Sequence, residues 1–517
     1  MQFLLKVIPQ LLDEGRFEKA RSLLYEVFDH AEDQDAETRV LVQIRLYGLL
    51  IDLGNESKNE QDLLKAIDFC EKNQDEIKKH ITSASYYYNL ANARDGLCEI
   101  YYRASPAGQS LSLVKEKLQE PIQLYWLSYK NTKPEDGLLK QILVNLANAL
   151  VRVGRLVEAI QFLDTVLKQD PNFPQALVSR ASQLDWLSQV SNGGYTAALY
   201  VQIYVNYEMA IGSKKLPRPV LERIDVLKEN SRWRLVQLNF DISGIAQEII
   251  QTEKEYLAQN KFRKFCIDNF LTLNEHGIYC GCVANEKDNL QIGVPNASFK
   301  GNIVPKLELL LNRLKSEFSY ARWSYYQSKV KTDKINFDAQ YTNLLEGEII
   351  NPFSEMLRIS FRICYGILDK IALGICKLYG LDAKRIHFET FWDDKKRKEK
   401  IEIIQNFHLN ALYSIACDLN TTDGELRHFK NWRNKLEHNL LILRSEEDIS
   451  YDIFDIIKDE EFVVLVDIKD FEAKTIHLLQ LTRAAIFSFA YCVRLQIIEP
   501  IDERSEPVGP IFVMDFK

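Results

Sequence analysis

The sequence predicts an all-α chain: an N-terminal helical-repeat solenoid followed by a helical bundle with a small β insertion. Three observations carry that expectation. Residues 1 to about 215 run as helix after helix, with few β-branched alternations and short Gly or Pro breaks. A pentapeptide recurs within them. The longest stretches of nearly continuous apolar character, 354–381 and about 470–497, lie in the C-terminal part and read as core helices.

The repeat is Asn89-Leu90-Ala91-Asn92-Ala93, which returns as Asn145-Leu146-Ala147-Asn148-Ala149. The second copy continues through Leu150, Gly154, Ala159, Leu163 and Pro171. These positions resemble the tetratricopeptide (TPR) pattern, whose unit is about 34 residues. Small residues sit where two antiparallel helices approach, Gly ends the first helix, and Pro closes the unit. Leu11, Gly15 and Ala20 fit the same pattern, as does Gly54 with a longer following loop at Glu56 to Gln61. Arrays of this kind offer a concave groove to a protein or peptide; a purely structural or dimerising solenoid is the other reading. The expected organisation is repeats at 1–215, a helical connecting segment at 216–300 opened by Pro217 and Pro219, and a helical domain at 301–517. A helix is expected at 241–262.

At 517 residues the chain is too long for one core. Its formal net charge of −8 argues against a chain-wide grip on nucleic acid, so any such contact must be local. Met1 to Pro9 is followed at once by Asp13 and Glu14 and lacks the small-residue cleavage site of a signal peptide. No run of about 18 uncharged apolar residues occurs. A cytoplasmic protein with no membrane contact and nine mostly reduced cysteines is expected. Cys266, His276, Cys280 and Cys282 lie close enough in sequence to invite a zinc reading. Their spacing matches no common finger, so packed thiols and no metal or other cofactor are the expectation.

In the C-terminal part, Arg358, Arg362, Tyr365 and Asp369 align within about 60° on an otherwise apolar helix. The stripe reads as that helix's solvent side, a site lining being the alternative. Phe318, Tyr320, Trp323, Tyr325 and Tyr326, with Arg322 among them, read as packing rather than a base-stacking platform. Lys395 to Lys400 is the densest basic cluster and reads as a solvated helix start, with Asp393 and Asp394 favouring its N-terminal end. Phe462 to Val466, within an acidic stretch from Glu446 to Asp470, is the best strand candidate and suggests a small β-ribbon.

The stretch Arg427 to His438 organises the rest. At about 100° per residue, Phe429, Trp432, Leu436, Leu440 and Leu443 form one stripe roughly 80° wide that should face a core. Arg427, Asn434 and His438 fall within about 40° of one another on the opposite side. Arg433-Asn434-x-x-x-His438, on the polar side of an amphipathic helix in a helical domain of about 200 residues, resembles the signature of the HEPN superfamily (higher eukaryotes and prokaryotes nucleotide-binding). The resemblance covers about 301–500.

That resemblance implies a metal-independent endoribonuclease, commonly a toxin or antiphage effector, working as a homodimer whose two signature helices meet at a composite site. Its catalytic residues here are Arg433, Asn434 and His438. The chemistry agrees with such roles. Cleavage of RNA by its own 2′-OH needs a group to take that proton, a group to protonate the departing 5′-oxygen, and positive charge on the phosphate. A histidine can do either proton transfer, and an arginine can fork two donors to phosphate oxygens. Arg427 and Lys430 are candidates for flanking phosphates, and Asp369 for a supporting partner. Arg433 and His438 lie about 140° apart on an ideal helix, so they share a face only if the arginine reaches round. An Arg433–Glu437 pair at i,i+4 spacing is the alternative. The competing functional class is a non-catalytic TPR/HEPN-like scaffold that only binds partners and dimerises.

Overall fold

The computed structural model describes residues 4–104, 110–191, 196–240, 260–293, 303–330, 339–340, 348–384, 386–445 and 462–497. The helix expected at 241–262 therefore lies almost wholly outside the described residues. The chain divides into two units, Met1–Gln189 with Tyr195–Ile242, and Val190–Gly194 with Ser243–Lys517.

The first unit is built from successive helices that pack on their chain neighbours, and the recurring pentapeptide shows how. Leu138–Arg152 and Leu156–Gln169 form a hairpin closed by Gly154, whose φ of +86° an L side chain would strain. Ala147, Leu150, Ala159 and Leu163 are fully buried between them. Small residues on facing positions let the two backbones approach, which is the packing the repeat pattern anticipates. The two pentapeptide copies touch: Asn145 Nδ2 donates to Asn92 Oδ1 at 2.9 Å, and the Tyr125 hydroxyl donates to the same oxygen at 2.8 Å. Gly15, with φ +71°, turns the chain between Leu4–Asp13 and Phe17–Glu32 in the same manner.

Gly54 departs from the expectation. It lies inside the helix Ala36–Ser57, and the break comes at Lys58 (φ +52°) and Asn59, which caps Glu60–Lys72. The long loop at Glu56 to Gln61 is therefore a two-residue turn. A Cβ at Gly54 would stand 2.8 Å from Leu63 Cγ and Cδ2. The glycine is there because the next helix presses on it, not because the chain turns.

The second unit is a helical bundle. Ile303–Lys329 and Pro352–Leu378 lie side by side, and Ile468–Ile497 packs on both and on Phe407–Leu419. Asn351 starts the second of these with a capping box, accepting from Ser354 N at 2.9 Å. Ile468–Ile497 is long and apolar enough by composition to cross a membrane, but 83% of its apolar window is buried in the protein. Its side chains from Leu478 to Val493 are the centre of the bundle.

The aromatic stretch divides. Phe318 and Tyr325 are buried, and Tyr326 packs on Phe262 and Phe265, whereas Tyr320 and Trp323 stack on each other at 5.9 Å outside. Arg322 is spent inside on Leu271 O and Asp288. Asp394 caps Lys395–Ile401 through Arg397 N at 3.0 Å, and Arg397 turns inward to the Asp382 and Lys384 carbonyls while its lysine neighbours are exposed.

The β insertion differs in direction from a ribbon. Leu440–Arg444 and Val463–Asp467 pair in parallel, Leu440 opposite Val463 and Arg444 opposite Asp467. Parallel strands need a crossover rather than a hairpin turn. The intervening residues 446–461 lie outside the described residues.

Candidate functional site

The helix Arg427–His438 has the predicted bounds and buries Phe429, Trp432 and Leu436. At twelve residues it would be marginal alone. Each buried side chain contributes on the order of 1.5–3 kcal/mol, so packing decides its stability. Phe361 lies 6.1 Å from Phe429 and 6.2 Å from Trp432, and Phe471 stacks on Trp432 at 5.4 Å. The stripe does not continue as helix. Asn439 turns extended, and Leu440 and Leu443 belong to the following strand, where Leu441 and Leu443 point inward and Leu440 is 47% exposed. Residues 440–444 satisfy period two as well as period 3.6, and pairing with Val463–Asp467 selects the former.

The outer face carries Arg427, Asn434 and His438. Arg427 and His438 are exposed and Asn434 is half-buried. His438 is the last helical residue, and among the described residues its side chain has no hydrogen bond or ion pair. Arg433 is half-buried and donates from Nη1 to Asn434 Oδ1 at 3.2 Å, with no carboxylate partner among the described residues. The anticipated Arg433–Glu437 pair does not form. Glu437 instead meets Arg362 Nε at 3.6 Å.

Two residues of the polar stripe of Pro352–Leu378, Arg362 and Tyr365, lie against this helix, and Arg362 keeps a solvent-exposed side as well. Arg362 donates to Leu436 O as well as pairing with Glu437. Tyr365 is buried, its hydroxyl without a hydrogen-bond partner among the described residues, and it feels the Arg433 charge. Burial raises its phenol well above the ordinary value, with Arg433 opposing. Arg358 differs, being engaged by Glu348 and Glu355.

Lys430 sits against the carboxylate of Glu389, which is 5% exposed. Burial pushes its ammonium below the ordinary lysine value, the Arg433 charge adds to that, and Asp369 opposes it. Lys430 is thus already held by an anion, whereas Arg427 has none among the described residues. Asp369 accepts from Phe388 N at 2.8 Å and so ties down the loop that presents Glu389. It touches neither Asn434 nor His438; its reach to the site is electrostatic, through Lys430. Glu389 belongs to no motif in the sequence. The available signal was one acid amid Phe388, Phe391 and Trp392, all three of which are buried.

Within one chain, then, Arg433 and Asn434 are joined, Asn434 and His438 are spaced one turn apart on the outer face, and Arg433 turns toward Tyr365 and Lys430. A guanidinium with free donors, an exposed imidazole and an amide on one helix can bind a phosphate and move a proton beside it.

Residues 299–496 match the family model described as LA2681-like HEPN. The chain carries a HEPN domain. No curated protein and no solved structure matches the chain. The HEPN match spans the helices from Ile303–Lys329 through Ile468–Ile497, and with them the signature helix and both strands. Ribonuclease or nucleotide-directed chemistry is the functional class that a HEPN domain suggests.

Proposed function

We propose that this protein is a metal-independent endoribonuclease, with Arg433, Asn434 and His438 as its catalytic residues. The observation that carries the reading is the state of the signature side chains: Arg433 has no carboxylate, and His438 has no partner, among the described residues. A surface helix whose cation and imidazole served the fold would have them paired, as Arg362 is with Glu437.

The substrate's 2′-OH attacks the adjacent phosphorus, the P–O5′ bond breaks, and the products are a 2′,3′-cyclic phosphate and a 5′-hydroxyl. One histidine takes the 2′-OH proton and another donates to the 5′-oxygen. Each chain carries only one in the signature, so the second comes from a second copy, with the two signature helices facing each other. Arg433 holds the phosphate oxygens, Asn434 orients it, and Arg427 takes a flanking phosphate. Leu440 and Phe462, 47% and 50% exposed beside the end of the signature helix, suit such a contact between copies. The protein works in the cytoplasm as a bacterial toxin or antiphage effector, regulated through a protein or peptide in the groove of its helical repeats.

The test is cleavage of tRNA and mRNA by purified protein with and without EDTA, beside His438→Ala and Arg433→Ala. Cleavage in EDTA, ends that become labile to phosphatase only after the cyclic phosphate is opened, and inert variants are expected. A variant that cuts like wild type removes the site assignment. Wild type that is inert on both RNAs, alone and with cell extract, leaves the scaffold reading in possession. A protein that sediments as a monomer while cleaving removes the composite site.

A further inference from the structure

The 260–293 segment holds a cluster that the nuclease reading does not use. Between Lys261–Asp268 and Ile303–Lys329 the described chain forms only single 3-10 turns, His276–Ile278 and Val283–Asn285. Irregular segments of this length need something besides backbone ladders to fix them. Here a ring nitrogen of His276 and the sulfurs of Cys280 and Cys282 all lie within 4.8 Å of one another, and Nε2 stands 2.9 Å from Cys282 Sγ.

We propose that His276, Cys280 and Cys282 bind one zinc ion, which staples this segment, with water or an external donor completing four-coordination. Two sulfurs and an imidazole nitrogen are the donor set that zinc takes. In a tetrahedral site with bonds of about 2.0–2.3 Å, neighbouring donor atoms stand roughly 3.5–3.8 Å apart. To admit the ion, the closest pair must therefore open by about 0.6 Å, and a pair at the 4.8 Å limit must close by about 1 Å. On binding, both thiols lose their protons, and two thiolates balance the double charge of the metal, which suits a cluster buried at His276 and Cys282.

The surroundings hold the donors in place. The Tyr279 hydroxyl lies 2.9 Å from His276 Nδ1 and so leaves Nε2 turned to the sulfurs. Asn274 Oδ1 accepts from His276 N at 2.9 Å, and its Nδ2 donates to Ala284 O and Lys287 O. Cys280 N donates to His276 O at 3.0 Å, closing the turn between two of the donors. A Cβ at Gly277 would stand 2.3 Å from Asn285 Oδ1, so the turn requires glycine. Cys266, also buried, is not in the cluster and is pushed up to about 11 by burial.

The experiment is elemental analysis of full-length protein purified under reducing conditions, followed by cobalt reconstitution of the stripped protein. Close to one zinc per chain, and the charge-transfer and tetrahedral d–d bands of a thiolate site with cobalt, are expected. Cys280→Ser, at the half-exposed position, should lower bound zinc to background while circular dichroism stays helical; Cys70→Ser should retain it. Should the variants fail to fold, native wild type titrated with a mercurial should release zinc as Cys280 and Cys282 react, mapped by mass spectrometry. Zinc at background with no cobalt bands, a Cys280–Cys282 disulfide in metal-free protein, or full zinc retained in folded Cys280→Ser overturns the proposal. No signature residue lies in this segment, so loss of RNA cleavage and loss of zinc are separate outcomes.

Discussion

Two charged clusters of the second unit use the same residue types to opposite ends. In the 260–293 segment, Asp288 sits between two arginines and is nearly saturated: Oδ1 accepts from Arg263 Nη1 and Leu273 N, each at 2.9 Å, and Oδ2 meets Arg322. Arg263 spends its remaining donors on Asn285, and Arg322 donates to Leu271 O at 2.6 Å. On the signature helix, among the described residues, Arg433 has one amide neighbour and His438 has no hydrogen bond or ion pair, and Tyr365, which feels the Arg433 charge, keeps a buried hydroxyl without a partner. A charge matched on every side belongs to the fold. A charge left unmatched on an otherwise well-paired bundle is what the proposed phosphate site requires. Stability and activity should therefore separate cleanly between the two clusters.

His438→Ala gives the largest effect on activity and almost none on stability. Removing a proton-transfer group costs about 10²- to 10⁴-fold in cleavage rate, while an exposed side chain without contacts changes stability by no more than about 0.5 kcal/mol. Single-turnover cleavage and thermal melts of the same preparation measure both. A variant that melts much earlier than wild type would make His438 part of the fold and erase the contrast.

Asp288→Asn is the mirror experiment. Losing one partner of a buried ionic cluster costs about 3–5 kcal/mol, here with two guanidiniums stranded, so a marked drop in melting temperature is expected. The pH dependence is specific. Burial alone would raise the Asp288 carboxyl, but Arg322 and Arg263 outweigh it and hold the group below the ordinary carboxylate range. Its folded pKa lies below the unfolded value of about 3.9, so its contribution is fully present above that value and disappears as pH falls through the folded one. Wild-type melts should show that acid-side loss, and the Asp288→Asn melts should show it reduced.

Glu389→Gln probes the intermediate case, a buried carboxylate whose partner Lys430 lies beside Arg433. Neutralising it leaves a half-buried ammonium without its anion, for which about 1–3 kcal/mol is expected. Relief of charge competition around Arg433 should leave RNA binding unchanged or tighter in a filter-binding assay. Weaker binding would show that Glu389 positions the site rather than the loop.

Much of this was legible in the sequence, for reasons that differ by element. Arg427–His438 was readable to the residue because an apolar face and a polar face alternate at helical period over its whole length. Gly154 and Ala159 were readable because tight turns and close helix contacts restrict the residue type. Gly54 misled for the same reason: a glycine demanded by a neighbouring Leu63 has the same letter as one demanded by a turn. The strand at Leu440–Arg444 was hidden because its partner lies beyond the 18 residues 445–462 and its four leucines and isoleucines suit either period. Glu389 was hidden because its partner Lys430 is far along the chain, and no local periodicity encodes such a contact.

Tyr365→Phe is the smallest and most discriminating change. A buried hydroxyl with no partner costs about 1–3 kcal/mol relative to one that is satisfied, so its removal should leave the melting temperature equal or raise it. The position is fully enclosed by the Pro352–Leu378 helix and its neighbours, and phenylalanine fills the same volume, so no cavity opens to mask the result. If the hydroxyl is kept for the phosphate that Arg433 binds, cleavage should slow by about tenfold, the loss of roughly one hydrogen bond in the transition state. A variant that melts earlier and cleaves normally would move Tyr365 into the class of Asp288, a polar group whose partner belongs to the fold, and would shrink the unmatched set to Arg433 and His438 alone.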